Sequence, residues 1–122
     1  AGSTMGVSDN SCPYTFRTEN LASLLTRAGF TFATYSESMP TIGFGGCMHG
    51  HYQRKHNPMV NWQGQNVLAS GNLRFADFPA DYSKLPTVAL VVYPAGLPLR
   101  TICPPLGRKR HVVYPATAAL RV

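Results

Sequence analysis

The chain has 122 residues, of which 44% are hydrophobic and 13% are charged, and its formal net charge is +6. This length suits one small domain or part of a larger one and excludes a multidomain enzyme, while the apolar fraction is too high for a wholly disordered chain. No apolar run reaches the roughly eighteen residues of a membrane-spanning helix. Residues 1–4 lack the basic and apolar stretches of a signal peptide, so we predict no such leader within the chain and leave open one that was removed or lies upstream.

The positive charge is concentrated in the C-terminal part of the chain. Residues 1–99 carry six Lys or Arg against five Asp or Glu, whereas residues 100–122 carry five basic residues and no acid. A nucleic-acid-binding domain usually spreads its basic residues over a folded face. We therefore predict a solvated basic tail without a specific nucleic-acid site.

The first third of the chain is predicted to form a loop, a helix and a strand. Residues 1–18 are polar and rich in turn-forming types, which indicates a loop. A helix is predicted over residues 19–28, because leucines recur there at helical spacing, with Thr18 as its N-cap and Gly29 as its C-terminal stop. Residues 30–35 alternate and are rich in aromatic and β-branched types, which predicts a strand.

The middle of the chain is predicted to be a long loop excursion. Residues 36–84 show no clear periodicity and contain many prolines and glycines. Loops of this length inside a small domain are often functional. Residues 87–93 then form a continuous apolar run, which is typical of a strand buried on both faces of a parallel sheet. Together these elements predict an α/β layered fold.

The end of the chain is predicted to be an irregular tail. Five of the ten prolines fall within residues 94–122, and no amphipathic segment is evident there. Residues 112–114 (Val-Val-Tyr) form at most a short edge strand in this prediction. We expect much of the tail to be poorly ordered.

The three cysteines are Cys12, Cys47 and Cys103. No C-x-x-C motif is present, so neither a zinc knuckle nor a thioredoxin-like site is supported. Cys12 and Cys47 lie in loop-like contexts on either side of the predicted helix and strand, which makes them the candidate disulfide pair. Three reduced thiols in a cytosolic protein remain the alternative.

The densest group of chemically useful side chains lies within residues 47–58. Arg54, Lys55 and His56 combine a planar cationic fork, a point charge and a titratable donor, which suit an oxyanion such as phosphate. Three adjacent residues cannot all face one ligand from a strand, so a solvated basic turn is the alternative interpretation.

A metal site is a second interpretation of the same segment. His49, His51 and His56, with Cys47 nearby, have suitable ligand chemistry, but their spacing fits no closed tetrahedral pattern. The five carboxylates include no closely spaced catalytic pair. Asp77 and Asp81 are predicted to cap turns.

The order and spacing of many short motifs resemble the bacterial phosphoesterase family of the alkaline phosphatase superfamily, which includes secreted acid phosphatases and is related to bacterial phospholipases C. The resemblance covers residues 1 to about 92. Its carriers are residues 1–4 with Gly6, then 11–13, 20–22, 28–29, 35–40, Cys47, 52–58, 75–79, 81–82 and 85–88.

The resemblance implies hydrolysis of phosphate esters by a secreted or periplasmic enzyme that uses a divalent metal ion and a Ser or Thr phospho-enzyme intermediate. It assigns Arg54, Lys55 and His56 to the phosphate side of the catalytic site, with Arg54, Lys55 and Asn57 as substrate-binding residues. It also favours the Cys12–Cys47 disulfide. The family nucleophile and metal ligands have no counterpart in this chain, so no metal-binding residue is assigned.

The resemblance further implies that residues 1–93 are the central part of a catalytic domain, inactive or nearly so alone. Residues 94–122 depart from the family pattern, and we hypothesise that they are translated in a shifted reading frame. The alternative function is a non-catalytic binding module whose basic tail contacts polyanions or a membrane.

Overall fold

A parallel β-sheet forms the centre of the computed structural model, which describes residues 3–93 and 112–115. The elements are a helix and six strands: α1 (Leu21–Arg27), β1 (Phe32–Ser36), β2 (Met48–His49), β3 (Tyr52–Gln53), β4 (Asn72–Arg74), β5 (Val88–Tyr93) and β6 (Val112–Pro115). Four strands form the sheet in the order β4-β1-β5-β6, and every pair in it is parallel. Strands β2 and β3 form a separate antiparallel hairpin. The predicted α/β class is therefore confirmed.

The two central strands are the two that the sequence predicts. Strand β1 pairs with β5 from Phe32 opposite Val88 to Ser36 opposite Val92, and with β4 on its other side. The apolar run of β5 fits this position because a strand of a covered parallel sheet is buried on both faces. Strand β6 lies beside β5, as expected for a short edge strand. The rest of the tail, with the basic residues of 100–122, lies outside the described residues, so its order and its contact with polyanions stay predictions.

One face of the sheet carries an apolar core. Successive side chains of a strand point to opposite faces, so Ala33 and Tyr35 of β1 share this face. They pack with three further buried residues, Leu85, Ala89 and Val91. A smaller apolar cluster of Ala22, Trp62 and Val67 joins α1 to the excursion. Thr34 and Ser36, which are polar and buried, lie on the opposite face of β1.

Helix α1 begins later than the sequence predicts. Its N-cap is Asn20, whose Oδ1 accepts a hydrogen bond from the backbone N of Ser23 (3.1 Å), while the Ser23 hydroxyl accepts one from the Asn20 N (3.0 Å). The prediction of Thr18 as the cap is wrong, because the Thr18 hydroxyl instead accepts a hydrogen bond from Trp62 Nε1 (3.2 Å). Gly29 has a φ of 80° and follows the helix as predicted.

Asn20 is expected to contribute more to the stability of the fold than an ordinary helix cap does, since its Nδ2 also donates to Asn66 Oδ1 (2.8 Å). Asn20→Ala should lower the free energy of unfolding by about 1–2 kcal/mol. Asn20→Ser is the matched control, because serine keeps a capping oxygen and loses only the bond to Asn66. Urea unfolding of the three proteins measures both values. Equal losses in the two variants would contradict the capping role.

The excursion between β1 and β5 contains the β2–β3 hairpin, strand β4 and five short 3-10 turns, in agreement with the predicted lack of long elements. Asp77 and Asp81 act at turns, as predicted. The Asp77 carboxylate accepts from the Arg74 backbone N (3.1 Å), and Asp81 accepts from the Ser83 N (3.0 Å). Among the described residues, no helix has the length and apolarity needed to span a membrane.

Candidate functional site

A disulfide attaches the N-terminal loop to the excursion. Cys12 and Cys47 are bonded with an S–S distance of 2.07 Å and are 35 residues apart in sequence. This is the pair that the sequence favours. The bond holds the segment before α1 against the start of the β2–β3 hairpin, next to the 3-10 turn that carries Arg54, Lys55 and His56.

Arg54 connects the same two segments from inside the protein. Its Nη2 donates to the Tyr14 carbonyl (2.5 Å) and its Nη1 to the Gly45 carbonyl (2.5 Å), while Nε donates to Asn61 Oδ1 (3.0 Å). The Arg54 backbone N donates to the Cys47 carbonyl (3.0 Å). We call this set of bonds the Arg54 clasp.

The clasp gives Arg54 a structural role. The residue is only 9% exposed, and none of the ion pairs of the described chain involves it. Three of its N–H groups are used by neutral oxygens, so its charge has no carboxylate partner there. Burial lowers the pKa of Arg54. Its direct contact with phosphate, predicted from the sequence, stays a prediction.

The three residues after Arg54 point to different environments. Lys55 is exposed, His56 is half-buried, and Asn57 is completely buried. The Nδ1 atom of His56 is buried and has no hydrogen-bond partner in the described chain. The structure therefore brings Lys55 and His56 near the surface together, whereas Arg54 and Asn57 lie inside. Their predicted catalytic and substrate-binding roles stay predictions.

Asn57 belongs to a network of side-chain amides between the excursion and the sheet. Asn72 Oδ1 accepts from Asn57 Nδ2 (2.6 Å) and from Thr34 Oγ1 (3.0 Å), and Asn72 Nδ2 donates to Gln63 Oε1 (2.9 Å). Gln63 Nε2 donates to the Gly43 carbonyl (2.6 Å). The network fixes the turn that follows His56 against β1 and β4.

Sequence reasoning missed Thr34, Asn72 and Gln63. The signal for Thr34 was available, because polar residues alternate with apolar ones along β1 on the face opposite the apolar core. Asn72 and Gln63 lie in the aperiodic excursion, where no local pattern marks a buried amide.

Several buried polar side-chain atoms have no partner within the described chain. They are Ser36 Oγ, Tyr52 OH, His56 Nδ1 and Asn57 Oδ1. Burial also raises the pKa of Tyr52, which the Arg54 charge partly offsets. Buried polar groups normally find a partner, so unpaired ones indicate a place for water or a ligand. This polar interior beside His56 is the candidate functional site.

The protonation of His56 should make stability depend on pH. Burial, and less strongly Lys55, lowers the pKa of His56 from its ordinary value of 6.5. The unfolded chain then binds more protons than the folded chain, so stability falls as the pH decreases below about 6.5. We expect His56→Gln to lose less stability than the wild type between about pH 7.5 and pH 5.5.

Urea unfolding at the two pH values measures this difference. Burial raises the pKa of Glu37 and makes it oppose the trend, but Glu37 is present in both proteins and cancels in the comparison. Identical pH dependence in wild type and variant would contradict the buried state of His56.

The described residues do not form the metal site considered from the sequence. No group of three or more His, Cys, Asp or Glu side chains there could hold a metal ion. Cys47 is bonded to Cys12, His49 lies in strand β2 and His51 lies in the hairpin turn. His49 Nδ1 lies 3.1 Å from the Ser38 carbonyl. The donor set present does not fit the divalent metal implied by the resemblance, and we derive no step through it.

Comparison with known proteins identifies relatives of the chain. Residues 1–104 match the model of the Phosphoesterase family. A phosphatidylinositol-3-phosphatase from Mycobacterium tuberculosis (strain ATCC 25618 / H37Rv) is 40% identical over 95 residues, which are 75% of this chain and 31% of that protein. The chain thus spans about a third of the length of this curated relative. No solved structure matches this chain.

Proposed function

The chain belongs to the Phosphoesterase family, and from this premise we propose that it is the central part of a secreted or periplasmic acid phosphatase that hydrolyses phosphate esters. In this proposal the reaction uses a divalent metal ion and a Ser or Thr phospho-enzyme intermediate. The metal ligands and the nucleophile are supplied from outside residues 1–93. The observation that carries the proposal is the family match over residues 1–104, which includes the polar interior beside His56.

His56 and Lys55 are the residues that we propose act on phosphate. Burial keeps the pKa of His56 low, so its imidazole is neutral near pH 7 and can accept a proton there. Lys55 is exposed next to it and can attract a phosphate dianion as a point charge. Arg54 supports them through its clasp, and its unpaired positive charge adds to the local potential for an anion.

The substrate and the compartment are parts of the same proposal. The curated relative is named a phosphatidylinositol-3-phosphatase. By analogy, we propose that the substrate of this protein is a phosphate monoester of an alcohol that carries further hydroxyl groups. The Cys12–Cys47 disulfide supports an oxidising compartment, since disulfides are rare in the cytosol.

Hydrolysis of an aryl phosphate with added divalent metal tests the proposal. We expect activity in a longer protein that contains this chain together with the flanking catalytic segments, and background rates for the chain alone. In the longer protein, His56→Ala should lower kcat by at least about a hundredfold, the scale of general acid–base catalysis. Lys55→Ala should raise KM, whereas Lys84→Ala, which removes an exposed lysine from another turn, should change neither value. Full activity of His56→Ala, or hydrolysis by the chain alone at an ordinary enzymatic rate, would refute the proposal.

A further inference from the structure

Two side-chain donors flank Gly45, in the loop between β1 and β2. A Cβ placed on Gly45 would lie 3.9 Å from Arg54 Nη1 and 3.9 Å from Gln63 Nε2, and no other heavy atom of the described chain beyond its two neighbours comes within 4 Å. Gly45 itself is exposed, so solvent reaches this loop. The side of Gly45 that lacks a side chain is therefore bordered by two nitrogen donors.

Both nitrogens have a hydrogen to spare. Each carries two hydrogens. Arg54 Nη1 uses one on the Gly45 carbonyl (2.5 Å), and Gln63 Nε2 uses one on the Gly43 carbonyl (2.6 Å). Within the described chain neither nitrogen has a second acceptor, and the backbone N–H groups of Gly45 and Gly46 donate to none. The loop thus offers donors from two side chains and two backbone groups.

The charge around this loop is positive and uncompensated. Arg54 is only 9% exposed, and none of the ion pairs of the described chain involves it. Buried arginines are normally paired with an anion. Residues 38–76, which include the whole loop, Arg54 and Gln63, contain no Asp or Glu. No carboxylate of this segment competes with an anion for these donors.

The donor set selects the class of ligand. A cation is repelled by the guanidinium and finds no carboxylate in this segment. An oxyanion offers only acceptors, and charge-assisted hydrogen bonds from arginine to such oxygens are among the strongest in proteins. A tetrahedral phosphate group has several terminal oxygens, so it can use side-chain and backbone donors together.

We propose that Arg54, Gln63 and the backbone of Gly45 and Gly46 form a binding site for a phosphate-type oxyanion. The inference rests on the proposed function only for the choice of phosphate among oxyanions. It goes beyond that function because the site is complete within this chain and uses neither a metal ion nor the flanking segments. Lys55 and His56 take no part in it. Free phosphate and the phosphate group of an ester share the required chemistry.

Gly45→Ala is the variant that tests the site most directly. Gly45 is not among the residues with a positive φ, and a contact of 3.9 Å is an ordinary one, so alanine fits the folded chain. Its methyl group occupies the position between the two donors. We expect the melting temperature to stay unchanged and the Kd for inorganic phosphate to rise at least about tenfold, the scale of losing one hydrogen bond to a charged group.

Gly71→Ala is the matched control. Gly71 also has no positive φ, and a Cβ there would lie 3.6 Å from the Phe32 carbonyl oxygen, away from the proposed donors. This variant should bind phosphate as the wild type does. Gln63→Glu is a second test, because it replaces the amide donor by a carboxylate beside Arg54. It should also raise the Kd at least about tenfold.

The measurement is an NMR titration of the full chain with inorganic phosphate, without metal and with sodium chloride holding the ionic strength constant. We expect saturable shifts of the Gly45 and Gly46 amide signals. Phenyl phosphate is titrated in parallel to distinguish the two sources of the ligand. Binding of both anions would support a site that accepts esters, and binding of inorganic phosphate alone would support a site for the free anion.

The outcomes separate this site from the proposed function. No saturable shift with either anion, or an unchanged Kd in Gly45→Ala, would overturn the site. Binding that is lost in Lys55→Ala and kept in Gly45→Ala would also overturn it, while supporting phosphate at Lys55 and His56. The proposed function is decided independently, by hydrolysis in the longer protein.

Discussion

Replacing Arg54 with alanine is expected to lower the free energy of unfolding by about 3–5 kcal/mol, because hydrogen bonds to a charged group contribute about 1.5–3 kcal/mol each and their loss leaves buried acceptors unpaired. The variant would leave the carbonyls of Tyr14 and Gly45 and the side chain of Asn61 without their hydrogen-bond donor. Urea unfolding followed by tryptophan fluorescence is a suitable measurement, since the single tryptophan, Trp62, is buried next to the same turn.

Two further substitutions test whether the loss of stability is specific to the Arg54 guanidinium. Arg54→Lys keeps the charge but offers one ammonium group in place of a planar fork, so it should recover only a minor part of the loss. Lys55→Ala removes the adjacent exposed cation and should change stability by less than about 0.5 kcal/mol. If Arg54→Ala and Lys55→Ala had similar small effects, the clasp would not be a stabilising feature.

The Cys12–Cys47 disulfide is expected to contribute about 2–4 kcal/mol, the usual value for a loop of this length. The double variant Cys12→Ser, Cys47→Ser should therefore unfold at clearly lower urea concentration than the wild type. Dithiothreitol should lower the stability of the wild type to about the level of the double variant. The same reagent should not affect the double variant, which serves as its control. An effect of the reductant on both proteins alike would show that another process is responsible.

The clasp and the disulfide should not act independently. Arg54 bonds to Tyr14, two residues after Cys12, and to Gly45, two residues before Cys47. Both features hold the same two segments together, so once one is lost the other has less structure to maintain. Residues that share partners show interaction energies in double-mutant cycles. The combined loss should accordingly be smaller than the sum of the separate losses.

Local sequence patterns determined the framework of this protein. The alternation of residues 30–35 and the apolar run of residues 87–93 are properties of short segments, and they are sufficient to place two central strands of an α/β sheet. The turn-capping role of Asp77 and the position of Gly29 after α1 are likewise decided by neighbours a few residues away.

The tertiary structure determines which residues of the candidate site are buried and which are exposed. In the sequence, Arg54, Lys55 and His56 are three adjacent cationic or titratable residues with no mark to distinguish them. Only contacts between distant segments, such as the bond from Arg54 to Tyr14 across 40 positions, separate a buried clasp from an exposed lysine. The same holds for Asn57 and Glu37, whose burial depends on strands and a hairpin brought together by folding. Periodicity reports which face of an element is apolar, but the partner of a buried polar group comes from elsewhere in the chain, and no local pattern encodes it.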